Sequence, residues 1–205
     1  MCAIAKVRQR YDLIAPVYDF FEAMMEVRAS RWRREQWARV EGRRVLELGI
    51  GTGKNVRFHG DERRVIGIDI SPGMLARAER RAQRLKASTE LLVADAQRLP
   101  FGDASFDSVV ATFVFCSVPE PAAALAEARR VLVPGGQLLL VEHVLSERPF
   151  LRRLMRWFDP VPARLWGAHL DRETSRAVRV AGFVDVEETP LSLDVVRRIE
   201  ARAPR

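Results

Sequence analysis

The sequence predicts an α/β fold, namely a doubly wound, mostly parallel seven-stranded sheet with an N-terminal helical cap and an antiparallel C-terminal strand. Two observations predict it. From Arg44 to about residue 145, short apolar runs alternate with helical patterns, which is typical of parallel strands covered by helices on both faces. Two further short runs lie close together near the end of the chain, which favours an antiparallel pair at the sheet edge.

The elements follow from the apolar runs and from the residues that interrupt them. Ser71 and Pro72 predict the start of one helix, because the serine hydroxyl can cap it and proline fits its first turn. The predicted strands are 45–48, 65–70, 91–95, 106–115, 137–144, 183–190 and 195–204, although the last segment could equally be helical. The predicted helices are 18–40, 54–59, 72–87, 119–132 and 171–181.

The composition is that of a globular protein, and its net charge of +7 is regional. Residues 1–44 contain 10 Lys and Arg against 6 Asp and Glu, and residues 146–170 contain 5 against 2, so the rest of the chain is balanced. An excess of positive charge in two segments favours a docking surface over non-specific binding by the whole protein surface. Two cysteines and three scattered histidines predict neither a disulfide framework nor a metal site. Since we find no membrane-spanning apolar run and no signal-peptide core, we expect a cytoplasmic location.

A glycine-rich loop, Gly49 to Gly53 in VLELGIGTGKN, follows the first predicted strand. It does not match the phosphate loop G-x-x-x-x-G-K-[ST], and neither register of G-x-G-x-x-G finds its third glycine. Glu47 precedes the loop, and its carboxylate would repel a pyrophosphate but attract a cationic ligand. The loop therefore predicts a cationic ligand at the carboxyl ends of the strands.

Two further acids are predicted at the ends of the next strands, and with Glu47 they favour S-adenosyl-L-methionine, a cation that carries an adenosine. Asp69 lies 20 residues after Gly49, where a carboxylate can accept hydrogen bonds from both ribose hydroxyls. Asp95 would accept a hydrogen bond from the adenine amino group, and Met74 would form an apolar wall for the ring. Asp95 could equally be an ordinary loop residue, and core packing explains Met74 better.

At this point the sequence resembles a known family. The segments ELGIGTG, GIDISPGML, VADAQRLPFGDASFDSVV and EARRVLVPGGQLLLVEHV resemble class I S-adenosylmethionine-dependent methyltransferases over about residues 10–145. The start RYDLIAPVYDFF and the C-terminal part resemble the ubiquinone/menaquinone-type and bacterial phosphatidylethanolamine N-methyltransferases, and a related branch of membrane-associated thiol methyltransferases.

The resemblance implies the Rossmann-like methyltransferase fold, S-adenosyl-L-methionine as cofactor and S-adenosyl-L-homocysteine as product. Residues that match the family's cofactor positions are Glu47, Gly49, Gly51, Gly53, Asp69, Asp95 and Ala96. Neighbouring residues added to the expected cofactor site are Ile50, Asn55, Ile70, Met74 and Phe113. We expect one domain over 1–205, made of cap helices (1–43), a cofactor-binding core (44–145), a basic lid insertion (146–170), and a C-terminal helix with strands (171–205).

Methyl transfer needs alignment and exclusion of water more than acid–base chemistry. Candidates for catalytic residues at the mouth of the site are Tyr18 first, His143 second, and Tyr11. Each has an ordinary structural alternative, since a tyrosine on an amphipathic helix usually packs and His143 lies next to Glu142. The Tyr18 ring would also favour a cationic ammonium or sulfonium.

The basic insertion places Leu151, Leu154, Met155 and Phe158 at helical spacing among arginines. This pattern is typical of a helix on an anionic membrane surface, or of a lid helix that buries its stripe against the sheet. Our first hypothesis for the acceptor is a phospholipid amine such as phosphatidylethanolamine, methylated by a cytoplasmic enzyme in peripheral contact with the inner face of the membrane. The alternatives are a quinone, a thiol or another small apolar acceptor, and, in another class, nucleic-acid binding or RNA methylation, for which the basic charge is the argument. The sequence does not predict the oligomeric state.

Overall fold

The computed structural model describes residues 3–158, 173–193 and 195–205. Its strands are β1 (Arg44–Leu48), β2 (Arg64–Asp69), β3 (Thr89–Val93), β4 (Phe106–Thr112), β5 (Leu132–His143), β6 (Val184–Ser192) and β7 (Val196–Arg202). Its helices are α1 (Ala3–Trp37), α2 (Pro72–Leu85), α3 (Pro121–Val131), α4 (Pro149–Phe158) and α5 (Thr174–Val180), with a single 3₁₀ turn at Val56–Phe58.

The seven described strands form one sheet in the order β3-β2-β1-β4-β5-β7-β6. Strands β1 to β5 are parallel, whereas β7 runs antiparallel to both β5 and β6. The predicted doubly wound sheet with an antiparallel C-terminal strand is therefore confirmed. The strand order reverses between β1 and β4, so the carboxyl ends of these two strands border the crevice where such sheets bind ligands.

Apolar strands place the core on both faces of the sheet. Leu46, Leu48 and Leu140 pack with α3 and α5 on one face, and Val45 and Leu139 pack with Trp37 of α1 on the other. Further residues of the central strands are also completely buried, because helices cover both faces of the sheet.

Several predicted boundaries are wrong, and each difference has a local cause. Strand β4 ends at Thr112 and not at residue 115, because Phe113 adopts a φ of +59° that a strand cannot continue. Strand β5 begins at Leu132, five residues earlier than predicted, and β3 ends at Val93, so Asp95 lies in the loop beyond the strand. The predicted helix at 54–59 is only the 3₁₀ turn.

The largest difference concerns the N-terminus, where one helix of 35 residues replaces the predicted helix at 18–40. Polar contacts hold its first half on the sheet. The Asp12 carboxylate accepts hydrogen bonds from Ser71 Oγ at 2.5 Å and from the backbone N–H of Gly73 at 3.0 Å. These contacts cap α2, so α1 lies across the carboxyl ends of the strands as the cap that the sequence predicts.

The basic insertion is described only in part. Helix α4 covers 149–158, whereas residues 159–172, and the side chains of Leu151 and Phe158, lie outside the described part of the chain. Three of its described apolar residues are exposed, Phe150 at 82%, Leu154 at 38% and Trp157 at 74%, whereas Met155 is partly buried. No helix in the described ranges is both long enough and apolar enough to cross a membrane.

Candidate active site

A cleft of about 890 Å³ opens at the carboxyl ends of β1, β2 and β4, and the N-terminal half of α1 covers it. This figure includes space that is open to solvent at the mouth of the cleft. Predicted site residues on its wall are Tyr11, Tyr18, Gly49, Ile50, Gly51, Asp69, Ile70, Met74, Asp95, Ala96 and Phe113. The predicted residues Glu47, Gly53, Asn55 and His143 are not on this wall.

The three glycines of the loop all have positive φ angles, but they serve different purposes. A Cβ at Gly49 would lie 2.6 Å from Val114 Cγ2, and one at Gly53 would lie 2.9 Å from Ala78 Cα. At Gly51 the nearest atom to such a Cβ would be 3.9 Å away. Gly53 therefore allows close packing of the loop on α2 and does not face a ligand, whereas the backbone at Gly51 is open to the cleft.

Asp69 ends β2 on the cleft wall, as predicted. Its Oδ2 accepts a hydrogen bond from the backbone N–H of Gly51 at 2.9 Å, and its Oδ1 accepts one from the N–H of Ser71 at 2.9 Å. Burial raises the pKa of this carboxyl to about 6, opposed by these hydrogen bonds and assisted by the negative charge of Asp12. The carboxylate is thus fixed between the glycine loop and the start of α2.

Asp95 also lies on the wall, in the loop after β3. Its Oδ1 accepts hydrogen bonds from the backbone N–H and the side-chain Nε2 of Gln97, each at 2.9 Å. Ala96 lies beside it, and Met74, which is 1% exposed, belongs to both the core and the wall. The two interpretations of Met74 are therefore compatible.

Glu47 is a predicted site residue that is not on the cleft wall. Its side chain is 1% exposed and points beneath the loop, because alternate residues of β1 face opposite sides of the sheet. Its Oε1 accepts a hydrogen bond from Asn55 Nδ2 at 2.7 Å, and its Oε2 lies 2.9 Å from Nε2 of His59, whose ring packs on Trp37. The carboxylate is thus enclosed by polar partners and is not on the cleft wall, and the expectation that it faces a cationic ligand stays a prediction.

Asn55 belongs to the same buried network and not to the cleft wall. Its Nδ2 also donates to Thr112 Oγ1 at 3.1 Å, and its Oδ1 accepts from Arg33 of α1 at 3.2 Å. Thr112 in turn donates to Gln36 of α1 at 2.9 Å. The network joins α1 to the ends of β1 and β4, so it fixes the cap relative to the loop.

On the cap side, α1 contributes Ile4, Val7, Tyr11 and Tyr18 to the wall. The Tyr11 hydroxyl lies 2.6 Å from Ser117 Oγ in the loop after β4, and the two tyrosine rings are 6.3 Å apart. Two aromatic residues with polar tips are therefore on the cleft wall, and their expected place near an acceptor stays a prediction.

His143, predicted as a second catalytic candidate, is the last residue of β5 and packs on Phe113 with ring centroids 4.7 Å apart. Phe113 is on the wall, whereas His143 is not, and a catalytic role of His143 stays a prediction. The adjacent Glu142 is completely buried, and its Oε1 accepts the backbone N–H groups of Val114 and Phe115 at 2.8 and 3.0 Å. Burial raises the pKa of Glu142 to about 7, although these hydrogen bonds oppose the increase.

Sequence reasoning missed several wall residues, of which Arg33 and Lys54 carry charge. Lys54 directly follows the last glycine of the loop, and this position could have indicated it. Arg33 had no comparable signal, because it is one of several arginines in the basic N-terminal stretch. Other wall residues that were not predicted are Ile4, Val7, Thr52, Ile68, Ala94, Thr112, Val114, Ser117, Val118 and Pro119.

Comparison with known proteins shows the family to which the chain belongs. Residues 46–140 match the methyltransferase domain family. The chain is 35% identical over 179 residues to the phosphatidylethanolamine N-methyltransferase of Cereibacter sphaeroides, covering 86% of this chain and 87% of that protein. It is 31% identical over 215 residues to the demethylmenaquinone methyltransferase of Clavibacter sepedonicus, covering 93% and 87%.

Solved structures share the fold at lower identity. The [4+2]-cyclase SpnF matches with a TM-score of 0.77 and 21% identity, over 97% of this chain and 95% of its own. A phosphoethanolamine N-methyltransferase of Haemonchus contortus, solved with phosphomonomethylethanolamine and S-adenosylhomocysteine, matches with a TM-score of 0.67 and 18% identity, over 81% and 50%. Identities in this range show the fold alone, whereas the two curated relatives show the family. The chain therefore belongs to the S-adenosyl-L-methionine-dependent methyltransferase family, as the sequence motifs predict.

Proposed function

We propose that this enzyme transfers methyl groups from S-adenosyl-L-methionine to the amine of a phospholipid such as phosphatidylethanolamine, in peripheral contact with a membrane. The observation that carries the proposal is the 35% identity to a phosphatidylethanolamine N-methyltransferase over 86% of this chain. That match is longer than the segment 46–140 that defines the methyltransferase domain, so the similarity is not confined to that segment.

The cofactor would lie in the cleft beside Gly51, Asp69 and Asp95. The open space next to Gly51 allows a ligand to contact the backbone there, since even a Cβ would meet nothing nearer than 3.9 Å. The Asp69 oxygens accept backbone hydrogen bonds from Gly51 and Ser71, and a carboxylate has further lone pairs for ribose hydroxyl groups. Ile70, Met74 and Ala96 would supply apolar contact to the adenine ring. When bound, the cofactor supplies a methyl group activated by a sulfonium.

The chain's own contribution is alignment of the acceptor and exclusion of water. Helix α1 is held over the cleft by the Asp12 contacts to Ser71 and Gly73 and by the Tyr11–Ser117 pair. Tyr18 lies on the cleft wall and is assigned to orient the acceptor, with Tyr11 as the second residue in this role. The attacking amine must be neutral. A tyrosine hydroxyl oxygen near the amine can accept a hydrogen bond from the amine N–H during the reaction.

The exposed apolar residues of α4 support the membrane part of the proposal. Phe150, Leu154 and Trp157 follow one another at i, i+4 and i+7, and none of them lines the cleft. The exposed Arg153 lies among them in the sequence, and the exposed Arg148 directly precedes the helix. Aromatic and basic side chains together on a short helix suit the headgroup region of an anionic membrane.

An acceptor panel tests the reaction. The purified chain is incubated with labelled S-adenosyl-L-methionine and, separately, with phosphatidylethanolamine vesicles, a demethylated quinone and a small thiol, and the methylated products are identified by mass spectrometry. We expect label in the phospholipid amine. Label in the quinone alone would refute the proposal in favour of a second candidate, which the 31% identity to a demethylmenaquinone methyltransferase supports.

Vesicle flotation tests the membrane contact separately. The double variant Phe150→Ser with Trp157→Ser should float less with anionic vesicles than the wild type, while its binding of S-adenosylhomocysteine stays unchanged. Val180→Ser is the matched control, because Val180 is 78% exposed on the other described C-terminal helix, α5. Equal flotation of the double variant and the wild type would contradict the assignment of α4.

A further inference from the structure

The carboxylate of Asp12 attaches the first half of α1 to the start of α2. Its Oδ1 accepts both hydrogen bonds of this contact, from Ser71 Oγ and from the backbone N–H of Gly73. Its Oδ2 lies 3.8 Å from Nε of Arg8, a distance that is long for a hydrogen bond. A negative charge is favourable at this place, because the N-terminus of a helix presents unpaired N–H groups. The main partners of Asp12 are therefore on α2 and not on its own helix.

The two helices approach each other closely because residue 73 is a glycine. A Cβ at Gly73 would lie 3.1 Å from Asp12 Oδ1 and 3.5 Å from Ala15 Cβ. Ala15 is 2% exposed, so the surface of α1 beside Asp12 is closely packed. An alanine at position 73 would therefore move α1 outward by a few tenths of an ångström, although the backbone of a helix accepts alanine well.

Ser71 connects this contact to the carboxylate of Asp69. The Ser71 hydroxyl donates its proton to Asp12 and accepts a hydrogen bond from the backbone N–H of Met74 at 3.0 Å. The backbone N–H of Ser71 donates to Asp69 Oδ1 at 2.9 Å, and Ser71 is 0% exposed. The residue that Asp12 holds is therefore the residue that orients the Asp69 carboxylate on the cleft wall.

We propose that Asp12 is a positioning residue for cofactor binding, which through Ser71 fixes the Asp69 carboxylate and also holds α1 over the bound cofactor. The inference rests on the proposed placement of the cofactor beside Asp69. Because the first half of α1 forms part of the cleft wall, S-adenosylhomocysteine leaves when α1 moves away and the Asp12 contacts break. The strength of these contacts then sets the rate of release.

Dissociation rates test the hold on the cap. Labelled S-adenosylhomocysteine is bound to each variant and chased with excess unlabelled ligand, and its release is followed by rapid filtration. Asp12→Ala loses both hydrogen bonds and should release the ligand about 10-fold faster than the wild type. Gly73→Ala keeps the Asp12 carboxylate but displaces α1, so its release should also be faster.

Glu35→Gln is the matched control for the dissociation rates. Glu35 is a carboxylate on the same helix, and its side chain is 37% exposed against 36% for Asp12. It pairs with Arg31 at the surface and is not on the cleft wall. Glu35→Gln should therefore release S-adenosylhomocysteine at the wild-type rate.

A pH titration separates the connection to Asp69 from a purely structural role. Burial raises the pKa of Asp69 to about 6, and the negative charge of Asp12 contributes to the increase. Asp12→Asn keeps an oxygen for Ser71 and Gly73 but removes the charge, so the fall in S-adenosylhomocysteine affinity should begin at a lower pH than in the wild type. A loss of packing alone would weaken binding equally at every pH. The other charged residues on the wall or beside Asp12 are unchanged in this variant, namely Arg8, Arg33, Lys54 and Asp95.

The outcomes separate this inference from the proposed function. A wild-type rate of release from Asp12→Ala overturns the inference, and so does an unshifted pH dependence of Asp12→Asn. Equally fast release from Glu35→Gln also overturns it, because the effect would then not depend on the contact with α2. If thermal unfolding shows that Asp12→Ala does not fold, Gly73→Ala takes its place, and a wild-type rate there overturns the inference. The proposed cofactor placement fails separately if Asp69→Asn binds S-adenosylhomocysteine as the wild type does.

Discussion

The buried carboxyl of Glu142 makes the stability of this fold depend on pH, and the substitution Glu142→Gln tests this. Glu142 is 0% exposed at the end of β5, and its Oε1 accepts the N–H groups of Val114 and Phe115. Glutamine has nearly the same shape and keeps one oxygen for these two donors, but it cannot ionise. The substitution therefore removes the titration and retains the main contacts.

The magnitude follows from the difference between two pKa values. Burial raises the pKa of Glu142 from an ordinary 4.5 to about 7. Between these values the folded chain keeps the proton and the unfolded chain has lost it, so the free energy of unfolding falls as the pH rises. At about 1.36 kcal/mol per pKa unit, the full loss is about 3 kcal/mol, of which about 2.5 kcal/mol falls between pH 5 and 8.

Urea unfolding at pH 5 and at pH 8, followed by far-UV circular dichroism, measures the effect. The free energy of unfolding of the wild type minus that of Glu142→Gln should decrease by about 2–3 kcal/mol from pH 5 to pH 8. Taking this difference cancels the contribution of Asp69, whose pKa is also raised, to about 6. The variant should therefore gain stability relative to the wild type as the pH rises.

Glu127→Gln provides a control, because the pKa of Glu127 is shifted in the opposite direction to that of Glu142. The guanidinium of Arg130 holds the pKa of Glu127 below its ordinary value, so its stabilising contribution is complete above pH 5 and is lost only as the pH falls. The difference between wild type and Glu127→Gln should therefore be constant from pH 5 to 8. If the difference for Glu142→Gln is equally constant, Glu142 does not retain its proton in the folded chain and the reasoning is refuted.

Three further predictions concern the cleft. Gly53→Ala should lower the free energy of unfolding by about 1–3 kcal/mol in urea titrations, because its Cβ would lie 2.9 Å from Ala78 Cα, whereas Gly51→Ala should mainly weaken S-adenosylhomocysteine binding in calorimetry. Affinity for S-adenosylhomocysteine should fall as the pH drops below 6, where Asp69 gains a proton, and Asp69→Asn should abolish this dependence. Tyr18→Phe should lower kcat about 10²-fold with S-adenosylhomocysteine binding unchanged; an equal loss of binding would assign the hydroxyl to the cofactor instead.

The strands could be predicted because their signal is local. Runs such as 45–48 and 65–70 are apolar apart from Glu47 and Asp69, and this composition follows directly from burial between two layers of helices. The close spacing of the last two runs likewise predicts the hairpin of β6 and β7, which the structure contains. Boundaries were less predictable, since the end of β4 depends on the single positive φ of Phe113 and not on composition.

The direction of Glu47 and the path of α1 could not be predicted, because both depend on contacts between distant residues. Strand alternation puts Glu47 on one face of the sheet, but only the fold brings Asn55 and His59 against it there. Tyr11 and Asp12 likewise meet partners more than 50 positions away in the chain. A periodic pattern reports burial on its own element, and it contains no information about which distant group a polar side chain meets.

The basic residues of the N-terminal stretch lie in two different environments. At the surface, Arg31 is paired with Glu35 and Arg39 lies near Glu200, so these cations are partly neutralised by neighbours. Arg33 is instead 7% exposed on the wall of the cleft, where it donates a hydrogen bond to Asn55. Part of the basic excess that favours a docking surface is therefore not available at the surface, because pairing and burial already engage it.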